Sequence, residues 1–579
     1  MDSNTLKSFQ VMQHLPNGSQ AIAIVLAGCL TVWTGAVCAQ VDAGSLQQQI
    51  DREQQFRLPR LLPPTQPKRP QTQPPSAGPR ITVSQFRITG NTIIATAELE
   101  RVAAPHLGRP LSFAELEEVA ARVAERYREA GWTVRVFLPE QDIVNGVVTI
   151  QVIEAVMGSV RIEGTVPRPS SLQSLRNIIE ASQPAGSLMS AAGIDRGLLI
   201  ANDISGVYVS GNLVEGEKEA ETDLLLKALE KPFLESNVSH ENTGSYATGS
   251  RRTAAMFSVN NFAAPGGLFN TQLAHTAGSK YGRAAATFPI GLQGFRLGLN
   301  ASRLDYDVIS LPKELQANGN STTTGLDLSY PLIRSRTSNL YLNLAADQKD
   351  FTNFALGNLS SKYSSRVFSL TALGNRETEL MGRSGVTVAS IGLSSGAINL
   401  TGSPNEETLA KDADPAGKFT KVRFNLSQEQ SITQDVSVFA AVSGQWASKN
   451  LDSSEKFTLG GSSGIRAYGS GEAAGTTGQM ANVELRWRVI PSVTIAGFYD
   501  VGSVQINVRN DYRGAPELNR YYLRGGGLSG SWTAAEGLSF RASWARRTGV
   551  NPNANVETGK DQDGSLVINR VWLSASLSF

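Results

Sequence analysis

Residues 460–464 read Gly-Gly-Ser-Ser-Gly and fit G-x-S-x-G, the pattern around the nucleophilic serine of many esterases. That chemistry needs a strand-to-helix turn and a histidine base that follows the serine along the chain. All four histidines precede the segment: His14, His106, His240 and His275. We therefore expect no enzyme activity. Four scattered histidines, with no cysteine in the mature chain, argue against a structural zinc site, and we expect no metal and no cofactor.

The chain has nearly equal numbers of basic and acidic side chains, 53 Lys and Arg against 51 Asp and Glu in 579 residues. A dedicated nucleic-acid-binding protein would have a basic excess, so we expect no nucleic-acid partner. Charged residues form 18% of the chain, and soluble domains average roughly 25%. Low charge together with 55 glycines is typical of a protein with many strands and turns.

The first forty residues have the features of a secretory signal, with Lys7 ahead of an apolar segment at 21–37. Small residues up to Ala39 predict cleavage there, so residues 1–39 form a signal peptide. Both cysteines, Cys29 and Cys38, are then removed. Two alternatives stay open: a retained membrane anchor, and lipoprotein processing at Cys29. Beyond residue 40 the sequence contains no run of 18 apolar residues, so we expect no helical membrane span there.

A polar helix and a proline-rich linker are predicted next. Residues 40–58 are rich in glutamine, with Leu46, Ile50 and Phe56 as isolated apolar side chains. A helix with so small an apolar face does not enter a protein core, so we expect it in water or in a water-filled cavity. A disordered tail is the alternative. Residues 59–79 contain eight prolines and predict an extended linker that spans up to roughly 65 Å.

Two small α/β modules, at 80–155 and 156–232, are predicted to share the order β-α-α-β-β. In the first, Ser112-x-x-Glu115 is a capping box that marks a helix start, and apolar residues at helical spacing follow it. Asn145-Gly146 predicts a hairpin turn between the last two strands. In the second, two helical patterns, at 172–179 and 194–201, lie between strand patterns.

Strand-period alternation dominates from residue 233 to the end. In 482–489, for example, Val483, Leu485 and Trp487 alternate with polar or charged residues. A soluble β-sandwich also alternates and stays an alternative. Lipid-facing strands require closure, because an open edge in lipid leaves backbone groups unpaired. The last strand ends with an aromatic residue, Phe579. We therefore predict a C-terminal transmembrane antiparallel β-barrel at 233–579.

One carboxylate in this region is predicted to face the lumen of the barrel. In 492–500, Val493, Ile495 and Tyr499 share one parity, whereas Phe498 and Asp500 share the other. If the first set faces lipid, Asp500 faces the lumen, since alternate residues of a strand point to opposite sides. A lone carboxylate in a narrow pore favours a partner, and a guanidinium offers two parallel hydrogen bonds.

The segment 445–486 closely resembles the haemolysin and filamentous-haemagglutinin secretion transporters, which are the outer-membrane partners in two-partner secretion. The similarity is carried by Phe-Thr-Leu-Gly-Gly at 457–461, Gly-Ile-Arg-Ala-Tyr-Gly at 464–469 and Gly-Thr-Thr-Gly at 475–478. The two modules resemble POTRA domains. The first shows the motif residues Tyr127, Gly131, Trp132, Pro139 and Gln141. Asn202-Asp203 resembles the second POTRA domain, and residues 330–335 resemble a barrel strand end.

This resemblance implies a mainly β protein with a barrel of about 16 strands, two POTRA domains and an N-terminal plug helix. A loop with Arg466, Tyr468 and Gly469 at its tip would fold into the lumen and latch there, with Arg466 on Asp500. Without the family context, these two residues would be ordinary charges that line a barrel. The other motif residues of the loop and barrel are Gly460, Gly461, Gly475, Gly478, Phe498 and Gly502.

Two residues depart from the family pattern. Ala467 occupies a position where the family usually has glycine, so a positive φ would be costly there. Thr476 occupies a position where an acidic residue is common. Both departures concern the geometry of the loop tip and leave the expected fold unchanged.

The function implied is that of an outer-membrane pore with its POTRA domains in the periplasm. It would recognise an unfolded exoprotein and move it to the cell surface without ATP, as in type V secretion. The expected partners are a large secreted exoprotein of the adhesin or haemolysin class, outer-membrane lipids, and the barrel-assembly machinery through the C-terminal strand. The main alternative is a barrel-assembly or insertase factor of the same superfamily; a passive porin and a secreted adhesin or enzyme are further rivals.

Overall fold

A computed structural model describes residues 41–53, 80–163, 169–218, 220–312, 317–534 and 536–579. The predicted signal peptide at 1–39, the linker at 59–79 and Phe56 lie outside these ranges. Within the described part of the chain, no helix combines the length and apolar character that a membrane crossing would require.

The first module contains β1 (Ile81–Thr82), β2 (Gln85–Thr89), α2 (Thr96–Ala103), β3 (Pro110–Leu111), α3 (Phe113–Glu129), β4 (Val134–Phe137) and β5 (Val147–Glu154). The predicted capping box forms at the start of α3, where the Ser112 and Glu115 side chains each bond the other's backbone N–H. One face of α3 packs on the sheet, whose strand order is β2-β5-β4.

The predicted hairpin in this module is wrong in one respect. Asn145 and Gly146 adopt the expected positive φ, 56° and 71°. However, β4 ends at Phe137, so the connection to β5 is residues 138–146 and not a two-residue turn. The Asn145-Gly146 pair specifies the backbone conformation of these two residues. It does not specify the length of the connection between β4 and β5, which depends on how residues 138–146 pack.

The second module contains β6 (Val156–Glu163), α4 (Pro169–Ser182), α5 (Ala191–Asn202), β7 (Val207–Glu215) and β8 (Glu221–Glu230). Its sheet has the order β6-β8-β7, with β8 in the centre and β7 at an edge. The core lies between this sheet and the two helices, where Leu175, Ile179 and Leu224 are buried. The predicted β-α-α-β-β order is thus found in the second module, and in the first module once the short β1–β3 ribbon, which the sequence analysis did not predict, is set aside.

The rest of the described chain forms a closed antiparallel barrel of sixteen strands, which confirms the predicted fold class. The barrel strands are β9 Leu234–Glu241, β10 Arg252–Asn260, β11 Leu268–Thr276, β12 Ser279–Ile290, β13 Phe295–Asp307, β14 Ala317–Arg334, β15 Ser338–Ala355, β16 Asn358–Leu380, β17 Arg383–Asn399, β18 Gly417–Ser431, β19 Val436–Ala447, β22 Thr477–Ile490, β23 Val493–Gln505, β24 Arg520–Thr533, β25 Leu538–Arg547 and β26 Asn569–Ser578. The last strand closes the ring on β9 through the pairs from Ser574↔Glu241 to Ser578↔Asn237. Closure removes both sheet edges, as a membrane-spanning sheet requires.

Because neighbouring strands are antiparallel, the connections between them alternate between the two open ends of the barrel, here called its mouths. The modules lead into β9 and therefore lie at the mouth that also carries Phe579, here called the inner mouth. The longest connections are at the opposite, outer mouth, and one of them carries the short helix α6 (Glu406–Lys411). On the barrel wall, Val483, Leu485 and Trp487 are about half exposed, as expected of side chains that face lipid.

Candidate functional site: the lumen loop and the barrel interior

The connection between β19 and β22, residues 448–476, folds back into the barrel and is called the lumen loop. It contains a short 3₁₀ helix (Ser453–Glu455) and a two-stranded ribbon of β20 (Phe457–Thr458) and β21 (Ala474–Gly475). Its apolar side chains join inward-facing barrel residues in one buried cluster: Leu459, Ile465, Ala467 and Tyr468 with Val504, Leu523 and Ala545. The loop is therefore packed as a piece of core and is not a free surface segment.

Arg466 holds the loop to the barrel wall through Asp500 on β23. Its Nε and Nη2 donate to the two carboxylate oxygens of Asp500 at 2.9 and 2.8 Å. Its own backbone N–H donates a third hydrogen bond at 3.0 Å. Asp500 is 0% exposed, so it lies on the lumen side of β23, as the strand parity predicted. A bidentate, charge-assisted contact of this kind fixes both position and orientation.

Four further groups complete the surroundings of the Arg466–Asp500 pair. Nη1 donates to Glu484 at 2.6 Å, and the guanidinium carbon lies 3.4 Å from the ring centre of Phe498. Asn482 donates at 2.9 Å to Asp500 Oδ1, the oxygen that also accepts from Arg466 Nη2. Trp572 on β26 donates from its indole nitrogen to the carbonyl of Arg466 at 2.8 Å. The loop tip is therefore tied to both β22–β23 and the last strand.

The motif glycines permit the close approach of the loop to the wall. Gly502 faces Leu459 of the loop, and a Cβ there would lie 2.8 Å from a methyl carbon of Leu459. Gly461 adopts a φ of +118°, which side chains rarely tolerate. A Cβ at Gly460, Gly469, Gly475 or Gly478 would also meet a neighbouring atom at less than 3 Å.

Ala467 fits without a positive φ, which answers the concern raised by its departure from the family pattern. It is fully buried, and it packs against Gly525 on β24, where a Cβ would lie 2.4 Å from the Ala467 methyl group. The neighbouring Tyr468 is also fully buried, under the guanidinium of Arg547 at 4.5 Å from its ring centre. A small wall residue thus makes room for the larger loop residue.

The polar helix α1 (Ala43–Glu53) lies inside the barrel beside the lumen loop. Ser321 on β14 donates to Gln47 at 2.9 Å, and Lys349 on β15 donates to Asp51 at 2.6 Å. The expectation of a purely wet environment needs one correction. Leu46 is 7% exposed and packs in a cluster with inward-facing aromatic rings: Tyr281, Tyr306, Phe351 and Tyr363. Ile50 is partly buried against the same cluster.

Charged residues connect the helix, the loop and the wall. Glu455 of the lumen loop pairs with Lys421 on β18. The Nζ atom of Lys349 lies 3.8 Å from the Oε1 atom of the same Glu455. Lys349 also pairs with Asp51 of α1, so one lysine contacts both inserted segments. Arg52 of α1 donates to the carbonyl of Thr458 at 2.8 Å. The two segments that fill the lumen are thus linked to each other as well as to the barrel.

Comparison with known proteins identifies the family. The family model described as haemolysin secretion/activation protein ShlB/FhaC/HecB matches residues 220–528, and the model of the ShlB-type POTRA domain matches residues 81–155. The chain belongs to this family. It is an outer-membrane transporter of two-partner secretion with periplasmic POTRA domains. The inner mouth therefore faces the periplasm, and the outer mouth faces the outside.

Relatives support this assignment over most of the chain. The heme/hemopexin transporter protein HuxB of Haemophilus influenzae is 27% identical over 420 residues, which cover 71% of this chain and 74% of that protein. The outer membrane transporter CdiB of Escherichia coli is 24% identical over 472 residues, 78% of each chain.

Solved structures of related barrels share the fold. CdiB from Escherichia coli matches with a TM-score of 0.65 at 20% identity over 98% of this chain and 100% of that one. BamA from Haemophilus ducreyi lacking POTRA domains 1–3 matches with a TM-score of 0.51 at 15% identity, over 86% of this chain and 100% of that one. At these identities the two structures show a shared architecture alone.

The first POTRA motif residues have structural positions. Tyr127 donates to the buried carboxylate of Glu154 at 2.9 Å, and the backbone of Thr92 and Ile93 donates to the same group. Burial raises the pKa of Glu154, but these hydrogen bonds outweigh burial and hold that pKa below its ordinary value. Gln141 bonds both backbone groups of Thr149, at 2.8 and 2.6 Å, beyond the end of β4, and it also donates to the carbonyl of Pro139.

Gly131 and Trp132 lie where the two POTRA domains meet. Gly131 has a φ of +84°, which turns the chain sharply after α3. Its carbonyl accepts from the N–H of Ala191 at 3.0 Å, and Trp132 forms a β-bridge with Ser190. These contacts join the end of one domain to the start of α5 in the next, so the motif sets the angle between the domains.

The second POTRA domain is joined to the barrel by a contact between two motif segments. Arg334 at the end of β14 forms a bidentate pair with Asp203, with nitrogen–oxygen distances of 2.9 and 2.8 Å. Arg296 donates to the carbonyl of Asp203 at 2.6 Å, and Arg196 donates to that of Pro331 at 3.0 Å. The sequence identified both segments as family-like and gave no sign that they touch.

Sequence reasoning also missed Glu484, Asn482 and Trp572 as partners of the Arg466–Asp500 pair. The first two share the lumen parity of β22, which the alternation of 482–489 had already indicated. That parity could have marked them as candidates. The contact of Trp572 had no comparable signal, because it arises only when the barrel closes and brings the last strand beside the loop.

Proposed function

We propose that this transporter exports one large, unfolded exoprotein of the adhesin or haemolysin class through its lumen, without ATP. The observation that supports this most is the lumen itself, which is lined with polar groups and filled by two separate inserts. One insert, the lumen loop, is held by the buried Arg466–Asp500 pair. The other, α1, is held largely by exchangeable polar contacts. A channel that opens when one insert leaves fits this arrangement.

In this proposal α1 is a plug that leaves before the exoprotein enters. In its salt bridge from Asp51 to Lys349 the aspartate is one-third exposed, so water can replace part of this contact when the helix leaves. Its apolar anchoring comes from buried Ala43 and Leu46, together with partly buried Ile50 and the preceding Val41. Departure of the helix therefore costs less than removal of the lumen loop, which contributes six buried apolar residues, from Phe457 to Ala473, to the cluster that it shares with the barrel wall.

Conductance of the purified transporter in planar bilayers tests the plug. Deletion of 41–58 is expected to raise the open-channel current, and Lys349→Gln is expected to raise the frequency of openings. Lys362→Gln, which removes an exposed lysine from β16, is the matched control. Equal currents for the deletion and the intact chain would rule out the plug role.

We further propose that the exoprotein is captured at the POTRA domains by strand addition. The edge strand β7 is the best candidate, because Tyr208 on it is 54% exposed and lies opposite Leu229 on β8, which is 66% exposed. An added strand would supply backbone partners to the edge and cover this apolar pair. Apolar side chains exposed together on a sheet face are a common feature of binding surfaces.

Export of the cognate exoprotein and its cross-linking to the POTRA domains test this surface. Tyr208→Asp and Leu229→Asp are expected to lower both. Ser210→Asp, on the same strand and two residues away, is the matched control for added charge. Unchanged cross-linking in the first two variants, or an equal loss in the control, would contradict the role of the apolar pair.

The remaining partners follow from the barrel surface. Half-exposed apolar side chains on the wall fit outer-membrane lipids. The final residue, Phe579, exchanges two backbone hydrogen bonds with Ser236 at the closing seam, and we propose that the barrel-assembly machinery recognises this last strand. Depletion separates export from the rival insertase function: loss of one exoprotein supports export, whereas broad loss of outer-membrane proteins would favour an insertase.

A further inference from the structure

Three buried carboxylates from two connections meet at the outer mouth. Glu472 belongs to the lumen loop, whereas Asp561 and Asp563 belong to residues 548–568 between β25 and β26, here called the last outer loop. One oxygen from each carboxylate lies within 4.8 Å of the others. Their exposed fractions are 0%, 4% and 7%. None of the three contacts Arg466, so the latch does not account for them.

Protein donors satisfy two of these carboxylates. Asn551 donates to Glu472 at 2.8 Å and to Asp561 at 2.9 Å. The backbone N–H of Gln562 donates to the second oxygen of Glu472 at 3.0 Å. Asp561 also pairs with the guanidinium of Arg547. Burial of these two groups is therefore compensated largely from within the chain.

Asp563 is different, because its Oδ2 has no hydrogen-bond partner among the residues that the structure describes. Its other oxygen accepts from the backbone N–H of Ser565 at 2.7 Å. The nearest cation, Arg570, is 3.6 Å from Oδ2, beyond hydrogen-bond distance. Gly469 faces this oxygen closely enough that a Cβ would lie 2.1 Å from it. A buried carboxylate oxygen without a donor is costly unless a ligand satisfies it.

The donor set specifies the kind of ligand. It consists of three carboxylates, whose oxygens suit a hard divalent cation and not a transition metal. Ca²⁺ binds such oxygens at about 2.3–2.6 Å, so two of its ligands can lie up to about 5 Å apart. Mg²⁺ requires shorter distances and a near-ideal octahedron, which this irregular group does not provide. Residues 561–564 read Asp-Gln-Asp-Gly, and alternating acidic residues before a glycine are frequent in calcium loops.

We propose that Glu472, Asp561 and Asp563 bind Ca²⁺ and so fasten the lumen loop to the last outer loop. Water at the outer mouth completes the coordination. The ion adds an attachment of the lumen loop that is separate from the Arg466–Asp500 pair. Because the site faces the outside, it would take up Ca²⁺ from the medium, where sites of this kind have dissociation constants of about 10⁻⁴–10⁻³ M.

Calorimetric titration of the full-length transporter in detergent with CaCl₂, after removal of metals by EDTA, tests the site. One bound ion per chain is expected, with a rise in the unfolding temperature of the barrel. Asp563→Asn and Glu472→Gln are each expected to weaken Ca²⁺ binding by about tenfold or more, at least as much as loss of an outer-shell partner does. Glu557→Gln, at an exposed position of the same loop, is the control.

Folding of each variant is checked by the faster migration of the unheated barrel on a denaturing gel. If either Asp563→Asn or Glu472→Gln fails to fold, the other variant still tests the site. Titration of the intact chain tests the proposal without any substitution. Absence of Ca²⁺ binding to the intact chain would overturn the site, as would equal binding by folded Asp563→Asn. An equal affinity for Mg²⁺ would overturn the choice of ion. Channel current and export do not enter this test, so its outcome is separate from that of the transport proposal.

Discussion

Removal of the Arg466 side chain gives the sharpest prediction for the lumen loop. In the intact protein, Asp500 accepts hydrogen bonds from Arg466 Nε, Nη2 and backbone N–H and from Asn482. Arg466→Ala removes both charge-assisted bonds and leaves a fully buried carboxylate with two neutral donors. Loss of one partner from a buried pair costs about 3–5 kcal/mol. If that cost falls on the seated loop, the detached population rises by about a hundredfold to a few thousandfold.

Thiol labelling in intact outer membranes measures this population. Ser470 of the lumen loop is 8% exposed and donates to the carbonyl of Thr243, so a cysteine introduced there reacts only when the loop leaves. Ser470→Cys is combined with Arg466→Ala, and labelling should accelerate by the factor above. Export should be lost, while the barrel still shows heat-modifiable migration.

Two further variants separate geometry from charge. Arg466→Lys keeps the charge but not the paired donors, so its labelling rate should be intermediate. The double variant Arg466→Ala with Asp500→Ala should recover part of the loss, because no buried carboxylate is then left unpaired. Arg488→Ala on β22 is the control, since its ion pair with Asp435 is exposed. An acceleration within about threefold of that control, the size of an exposed pair, would refute the reasoning.

Three more predictions concern other contacts. Asp203→Ala should loosen the second POTRA domain from the barrel, seen as faster proteolysis between them, whereas an unchanged rate would mean that Arg334 has little part in the junction. Gly525→Ala should displace the lumen loop, because the new Cβ would lie 2.4 Å from the Ala467 methyl group and 2.8 Å from the Arg546 carbonyl oxygen. Ala467→Gly removes the first of these contacts and should restore part of the seating; no rescue would argue against this fit. Hydrogen bonds hold the pKa of Glu154 below the value of about 4.3 that a glutamate has in the unfolded chain. The ionised carboxylate therefore stabilises the first POTRA domain above that pH, and this stabilisation is lost as the pH falls through the pKa of the folded state. Glu154→Gln should flatten that dependence in amide exchange of 80–155, and a parallel pH profile would contradict it.

The barrel and the modules were predictable because their signals are local. Alternation with a period of two specifies which side of a strand each residue takes, independently of the rest of the chain. For that reason the lumen position of Asp500 and the outward position of Leu485 followed from parity. The capping box at Ser112 likewise acts within one turn of helix. In contrast, the two-residue hairpin predicted at Asn145-Gly146 was wrong, since the length of a connection depends on how its residues pack.

The chemical identity of the latch was a different kind of prediction. Composition and alternation led only to a barrel with polar residues inside. The pairing of Arg466 with Asp500 came from the resemblance to the secretion transporters, and the structure brings the two side chains together. The sequence had left Ala467 as a doubtful position. The structure shows that the space for it comes from Gly525, which lies 58 residues further along the chain.

The sequence by itself thus determined the secondary structure, the order of the modules and the side of the wall to which each strand residue points. Only the tertiary structure decided that certain distant residues share a contact: Asp203 with Arg334, Trp572 with Arg466, and Glu472 with Asn551. The physical reason is that these contacts form through closure of the barrel and folding-in of its loops. Those events bring together chain segments whose local patterns carry no information about one another.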